Sequence, residues 1–199
     1  METEGSDASC FYFPSPDLTT PTRPPRSTLF PYTTLFRSTA RIVIAEARKQ
    51  GFTGKLIDVR SVSDDQARGV NRMDAETKRE LEAQGVMIVT AGHALSSGER
   101  GLSRQFSGVY PLEIMAATLR TLGQGFKVCF ECAVMALDAD VIEWGKPVVA
   151  LGGTASGADT AIVITPGYSA SILTTRIHEI LCKPALMPDS GSSGRNSST

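Results

Sequence analysis

The segment that decides the fold of this chain has two parts. The first reads GFKVCFECAVMALDADVI from Gly125 to Ile142, and the second reads KPVVALGGTASGADTAIVITP from Lys146 to Pro166. In the first part, apolar side chains recur at steps of three and four residues, at Val128, Cys132 and Met135. This spacing predicts a helix with a buried face.

The second part predicts two strands joined by a loop of small residues. Val148 to Leu151 is an unbroken apolar run between Pro147 and Gly152, which is typical of a strand buried on both faces. Thr160 to Thr165 is the second strand, and Gly152 to Asp159 connects the two. The order helix, buried strand, glycine-rich loop, strand indicates an α/β fold with a candidate ligand-binding loop.

Strands and helices alternate through the rest of the chain. Further helices are predicted at 39–50, 75–84 and 111–122, and Asp74 is the expected N-cap of the second. The predicted strands cover 55–61, 86–90, 148–152, 160–165 and 177–182. Residues 96–108 are polar, and no helix or strand is predicted there. This alternation predicts a sheet that is largely parallel.

Composition excludes several classes of protein. With 41% hydrophobic residues and a formal net charge of −1, the chain is globular and is not a nucleic-acid binder. No apolar run approaches the roughly 18 residues of a membrane span, and no signal peptide is evident. Four cysteines do not make a disulfide scaffold in a chain of this size. We therefore expect a cytoplasmic protein with reduced thiols and no membrane partner.

Met1 to Ser38 differs from everything that follows. It is rich in Pro, Ser and Thr and shows no sustained helix or strand period. Within it, residues 28–38 read TLFPYTTLFRS, which resembles the conceptual translation of a common short-read sequencing adapter. We therefore expect residues 1–38 to be a non-native or disordered segment, residues 39–184 to form the folded domain, and residues 185–199 to be a flexible tail.

Several motifs together resemble one known family. They are MDAETKREL at 73–81, HAL at 93–95, GVYPLEI at 108–114, GQGFKV at 123–128, VMALDA at 134–139 and GGTASGADTA at 152–161. These motifs are similar to those of the stand-alone proteins that share the α/β C-terminal domain of pyruvate kinase. The resemblance covers Thr39 to about Lys183 and is most specific from Gly123 to Pro166.

This resemblance implies a three-layer α/β/α domain with a mostly parallel sheet whose last strand is antiparallel. In pyruvate kinase the domain lacks the catalytic centre, provides subunit contacts and, in some members, binds a phosphorylated effector. It therefore implies a non-catalytic ligand-binding or regulatory protein that self-associates, with a phosphate-bearing small molecule as partner and no cofactor. Pyruvate kinase activity is not expected, because nothing here resembles the barrel, the metal ligands or the substrate lysine of that reaction.

The chain departs from the family in two places. Relatives begin with a helix, a strand and a Ser/Thr/Gly turn before the helix at Thr39, so the first family strand is expected to be missing. Either Tyr32 to Phe36 fills its slot, or Leu56 to Val59 pairs poorly. Where relatives carry Gly-Arg-Gly, this chain has Ala155-Ser156-Gly157, so we expect weak binding of phosphate or sugar phosphates.

The glycine-rich loop carries the main functional signal. Small residues let consecutive backbone N–H groups point into one concavity, which suits an oxyanion or a phosphate. The candidate ligand-binding residues are Thr39, Gly152, Gly153, Thr154, Ser156, Gly157, Asp159 and Thr160. The alternative is a tight connection between neighbouring strands, in which glycine serves only backbone geometry.

A small cytoplasmic enzyme is the competing class of function. His93, just past a strand end, is a candidate general acid or base, although a structural hydrogen bond to backbone is the alternative. Cys129 and Cys132 form a C-x-x-C pair, which suits a redox site or, with His178 and Cys182, a zinc site. The alternative is a buried apolar helix in which cysteine is a small hydrophobe. We assign no catalytic residue and no metal ligand.

Overall fold

The computed structural model describes residues 27–32, 37–62, 69–153 and 157–185. The strands are β1 (Ser27–Tyr32), β2 (Lys55–Ser61), β3 (Val86–Ala91), β4 (Val148–Gly153), β5 (Ala158–Thr165) and β6 (Arg176–Cys182). The helices are α1 (Arg37–Lys49), α2 (Ala75–Ala83), α3 (Ser97–Phe106), α4 (Pro111–Arg120) and α5 (Gln124–Asp138), with a 3-10 helix at Ser169–Thr174. Every predicted strand and helix is present, so the mixed α/β class is confirmed.

The six described strands form one sheet in the order β3-β2-β1-β4-β5-β6. Strands β1 to β4 run parallel, β5 runs antiparallel to β4, and β6 runs antiparallel to β5. The predicted antiparallel last strand needs a correction, because β5 alone opposes the others and β6 returns to their direction. The connections from β4 to β5 and from β5 to β6 are short. Two neighbouring parallel strands need a crossover of about a dozen residues or more, so these strands pair antiparallel.

Helices cover both faces of the sheet. On one face, α1 contributes Ala40, Val43 and Ile44 to a buried cluster with Leu81 of α2 and Val86 of β3. These α1 positions recur at helical spacing, which gives the helix one apolar stripe. On the other face, nearly the whole of α5 is buried, and it forms the larger cluster with inward-facing residues of β2 to β5. Together they make three layers.

The largest difference between prediction and structure concerns the N-terminal segment. We expected residues 1–38 to lie outside the domain, yet Ser27–Tyr32 is the strand between β2 and β4, and α1 begins at Arg37. Residues 27–32 fill the slot of the missing strand. Of the predicted segment Tyr32 to Phe36, Tyr32 belongs to β1, and residues 33–36 lie outside the described part of the chain. β2 pairs along its length, from Lys55 to Arg60, with β1. Residues 1–26 and 186–199 lie outside the described part of the chain.

A second correction concerns the polar stretch at 96–108. Ser97–Phe106 is a helix that is held through Glu99, whose Oε2 accepts the backbone N–H groups of Leu112 and Glu113 at 2.8 and 3.2 Å. These are N–H groups of the first turn of α4, so Glu99 caps that helix from outside. The other boundaries agree with the predictions, including Asp74, whose Oδ1 accepts the Thr77 N–H at 2.7 Å. No helix in the described residues is long and apolar enough to cross a membrane.

Candidate functional site

Those predicted ligand-binding residues that the structure describes lie at the carboxyl edge of the parallel strands. The chain runs from β1 outward to β3 and then returns to place β4 on the other side of β1. In open α/β sheets this reversal leaves a crevice outside the carboxyl ends of the two strands, where ligands bind. In this sheet the reversal falls between β1 and β4, next to the start of α1 and the start of β5.

Thr39 contacts the loop directly. Its Oγ1 accepts the backbone N–H of Ala158 at 3.4 Å, and a Cβ built on Gly157 would lie 3.8 Å from the same oxygen. Thr39 is buried in the first turns of α1. The structure therefore brings together Thr39 and the far end of the loop, which are separated by more than a hundred residues in sequence. Thr154 and Ser156 lie outside the described residues.

Two of the predicted loop glycines have a packing role. A Cβ on Gly152 would collide with the carbonyl oxygen of Gly125 and would lie 2.9 Å from the backbone nitrogen of Cys129. A Cβ on Gly153 would collide with the carbonyl oxygen of Gly157 across the hairpin. The loop joins two antiparallel neighbours, so backbone packing accounts for both glycines, as the structural alternative predicted.

Asp159 and Thr160 form a pair at the N-terminus of α5. The Thr160 hydroxyl donates to Asp159 Oδ1 at 2.7 Å, and a Cβ on Gly125 would collide with both of these oxygens. The N-cap residue of α5, Gly123, makes no side-chain cap. A carboxylate at this end is stabilised by the positive end of the helix dipole. Asp159 thus occupies the place of an anion at the N-terminus of α5.

A second polar cluster lies at the carboxyl end of β3, and it includes two residues that sequence reasoning did not select. Glu131 and Lys127, one turn apart in α5, form an ion pair in which the two side chains are 2% and 4% exposed. Glu131 Oε2 also lies 3.3 Å from His93 Nδ1, and Glu131 Oε1 accepts the backbone N–H of Leu95 at 3.2 Å. The available signal was a Lys and a Glu four residues apart in an otherwise apolar helix.

The charged groups of this cluster shift one another's pKa values. Burial is the largest influence on the pKa of Glu131 and raises it, but the hydrogen bond from His93 and the charge of Lys127 outweigh burial, so the net pKa is lowered. Burial also lowers the pKa of Lys127, while Glu131 opposes that shift. His93 was expected either to act as an acid or base or to bond to backbone. In the structure, the hydrogen-bond partner of the ring is a buried carboxylate and not a backbone group.

The C-x-x-C pair lies in the middle of α5 and not at an exposed helix start. Both thiols are buried, and Cys129 Sγ donates to the carbonyl of Thr160 at 3.6 Å. Burial raises the pKa of Cys129 well above its usual value and raises that of Cys132 as well. The structure therefore favours the interpretation of these cysteines as small buried hydrophobes.

The zinc hypothesis has no geometric support in the described residues. There, no group of three or more His, Cys, Asp or Glu side chains could hold a metal ion. His178 lies on β6, where its Nε2 is 2.8 Å from Thr165 Oγ1.

Comparison with models of known protein families gave no match.

Proposed function

We propose that this chain is a non-catalytic ligand-binding or regulatory domain for a phosphorylated small metabolite, similar to the C-terminal domain of pyruvate kinase. The ligand binds at the carboxyl edge of β1 and β4. The observation that carries this proposal is the hydrogen bond from Ala158 N–H to Thr39 Oγ1, which sets the first turn of α1 against the start of β5. Helix N-termini with free N–H groups are anion sites.

The same geometry favours weak binding in this chain. Thr39 Oγ1 and Thr160 Oγ1 already take part in hydrogen bonds, and Asp159 places a carboxylate near the edge. The loop arginine of the family is absent as well. We expect inorganic phosphate to bind with a Kd of about 1 mM or higher.

The test is an amide-shift titration of the full chain with inorganic phosphate and with a sugar phosphate. Shifts are expected at residues 39–41 and 157–160, and Thr39→Val should reduce them. Thr53→Val, at an exposed threonine distant in sequence, is the matched control and should leave them unchanged. Replacing residues 1–38 with a family-type N-terminus should tighten binding at least about tenfold, or roughly 1.4 kcal/mol. Equal affinities of the two chains, or shifts confined to another region, would contradict the proposal.

Thiol chemistry separates this function from the competing enzyme that uses the Cys129/Cys132 pair. Because burial raises the pKa of both thiols, we expect alkylation of Cys129 and Cys132 to be slower than that of the partly exposed Cys182. The measurement is peptide mapping after limited iodoacetamide treatment across pH. Rapid alkylation of either buried thiol near neutral pH would favour the enzyme.

Self-association is a further part of the proposal, and light scattering on the purified chain tests it. Pyruvate kinase activity is not expected from this chain.

A further inference from the structure

The strand β1 pairs unequally with its two neighbours, and the space that it occupies between β2 and β4 is here called the β1 slot. With β2 the register is continuous over all six residues of β1. With β4 the register ends at Leu29, opposite Ala150, although β4 continues to Gly153. Pro31 has no backbone N–H to donate. The β4 side of the β1 slot therefore has pairing positions that β1 does not use.

A second mismatch in the β1 slot concerns Asp58 of β2. This residue lies in register with Phe30 of β1 on one side and with Ile88 of β3 on the other. Residues in register on neighbouring strands project from the same face of a sheet, and the strands are about 4.8 Å apart. Neither phenylalanine nor isoleucine has a side-chain hydrogen-bond donor. Asp58 is completely buried, and within the described residues neither of its carboxyl oxygens has a partner.

The helices that cover Asp58 leave its carboxyl group without a partner as well. Asp58 alternates with Ile57 and Val59, which pack in the cluster around α5, so its side chain lies on the face that α1 and α2 cover. The helix residues of the cluster on that face are apolar, namely Ala40, Val43, Ile44 and Leu81. Arg60, the next residue on the same face, donates instead to Thr90 Oγ1 at 2.7 Å. The β1 position in register with Asp58 is therefore the place from which a side chain can supply the missing hydrogen bond.

We propose that the β1 slot is a peptide-binding site, which takes an extended segment of another molecule as a parallel strand in place of residues 27–32. The segment that fits has a backbone N–H at the position of Pro31 and a side chain that can donate a hydrogen bond, such as threonine, in register with Asp58. In strand addition of this kind, main-chain hydrogen bonds give affinity and the side chains of alternate residues give specificity. This site is independent of the phosphate site at Thr39, which the amide-shift titration tests separately.

Threonine suits the position opposite Asp58 for two reasons. Burial raises the pKa of Asp58 well above its usual value, which favours the neutral carboxyl group, and this group both donates and accepts hydrogen bonds. A hydroxyl group also does both, and threonine is favoured in strands. Valine has nearly the same shape and lacks the hydroxyl, so a peptide with valine at this position is the matched control.

The first test uses the full chain with Leu29→Pro, because a second proline in β1 weakens the strand that competes with an added peptide. The probes are three fluorescent peptides of residues 26–33. Peptide one carries Phe30→Thr and Pro31→Val, peptide two carries Phe30→Val and Pro31→Val, and peptide three carries Phe30→Thr alone. Fluorescence anisotropy measures their affinities.

Peptide one should bind about threefold to tenfold tighter than peptide two, which lacks the hydroxyl, and tighter than peptide three, which lacks one N–H, by a similar factor. Adding Asp58→Leu to the same chain should make peptides one and two bind equally. Equal binding of all three peptides, a preference for threonine that survives in Asp58→Leu, or no binding of peptide one would overturn the proposal.

The wild-type chain provides a second measurement that does not depend on how well Leu29→Pro folds. An excess of peptide one should speed the amide hydrogen exchange of Thr28 to Tyr32, because these residues leave the sheet. The amides of β2 should stay protected, because the peptide takes over the pairing with this strand. Unchanged exchange in β1 would overturn the proposal. Loss of protection in both strands would overturn it as well, because the peptide would then unfold the sheet and not join it.

Discussion

Asp58 lies in an unfavourable environment. It lies in the middle of β2, it is completely buried, and within the described residues neither of its carboxylate oxygens has a hydrogen-bond partner. Burial raises its pKa well above the usual value, and the charge of Arg60 offsets only part of that effect. An unpartnered buried polar group costs about 1 to 3 kcal/mol. Asp58 therefore lowers the stability of this sheet.

Asp58→Leu should raise the free energy of unfolding at neutral pH by about 1 to 3 kcal/mol, because it removes a buried group that has no partner. The raised pKa also predicts a pH dependence for the wild type. Because the folded state binds this proton more tightly than the unfolded state, the contribution of Asp58 to stability is greatest below about pH 3.9 and is lost as pH rises through the folded-state pKa.

Urea unfolding across pH checks both parts. Asp58→Asn keeps the shape and polarity of the side chain but cannot ionise, so this control should lose the contribution of Asp58 to the pH dependence. Identical pH profiles for the wild type and Asp58→Asn would show that the carboxyl group is not held in its neutral form.

Glycine packing gives a prediction whose sign depends on the position. Gly152→Ala should destabilise the fold by about 1 to 3 kcal/mol, because its Cβ would collide with backbone atoms of α5 that cannot move aside. Gly98→Ala in α3 meets nothing within 4 Å and should be stabilising by about 0.5 to 1 kcal/mol through helix propensity. Thermal unfolding of the two variants checks this, and shifts of the same sign would contradict it.

At the scale of elements, β1 is paired unevenly. Its register with β2 runs from Ser27 to Tyr32, but its register with β4 covers only Thr28 and Leu29. The β4 ladder stops two residues before Pro31, which has no backbone N–H to donate and is normally confined to sheet edges. A proline in a central strand therefore accounts for the short junction between the two halves of the sheet.

Pro31→Val should extend the pairing of β1 with β4 and raise the free energy of unfolding by about 0.5 to 1.5 kcal/mol, the net contribution of one hydrogen bond. Pro147→Val, at an exposed position just before β4, is the control and should change little. Chemical denaturation measures the stability, and amide hydrogen exchange of Thr28 to Tyr32 reports the new bonds. Unchanged protection in Pro31→Val would show that the proline does not limit this junction.

At the scale of the whole molecule, β1 joins two parts of one sheet. β2 and β3 lie on one side of it and β4, β5 and β6 on the other, while α5 packs beneath strands from both parts. The sequence alone places the start of the domain at Thr39. The structure places a central strand before that residue, and the two boundaries predict different behaviour on truncation.

A chain that begins at Thr39 should lose its cooperative unfolding transition, because the backbone groups of β2 and β4 that face β1 would be left without partners. A chain that begins at residue 26 retains β1 and should unfold as the full chain does. Circular dichroism with urea titration distinguishes them. A cooperative transition of similar midpoint in the shorter chain would show that β1 is dispensable and that the boundary at Thr39 holds.

The sequence by itself determined the α/β class, five of the six described strands, four of the five α-helices and the Asp74 cap. These features depend on local periodicity and capping, which adjacent residues encode. Only the tertiary structure decided that residues 27–32 form a central strand, because the partners of that strand lie in β2 and β4. Three further features were decided only by the tertiary structure. Asp58 is buried, Glu99 links α3 to α4, and His93 contacts Glu131, which is 38 residues away in sequence. Each of these features is a contact between segments distant in sequence, and no local pattern specifies which segments meet.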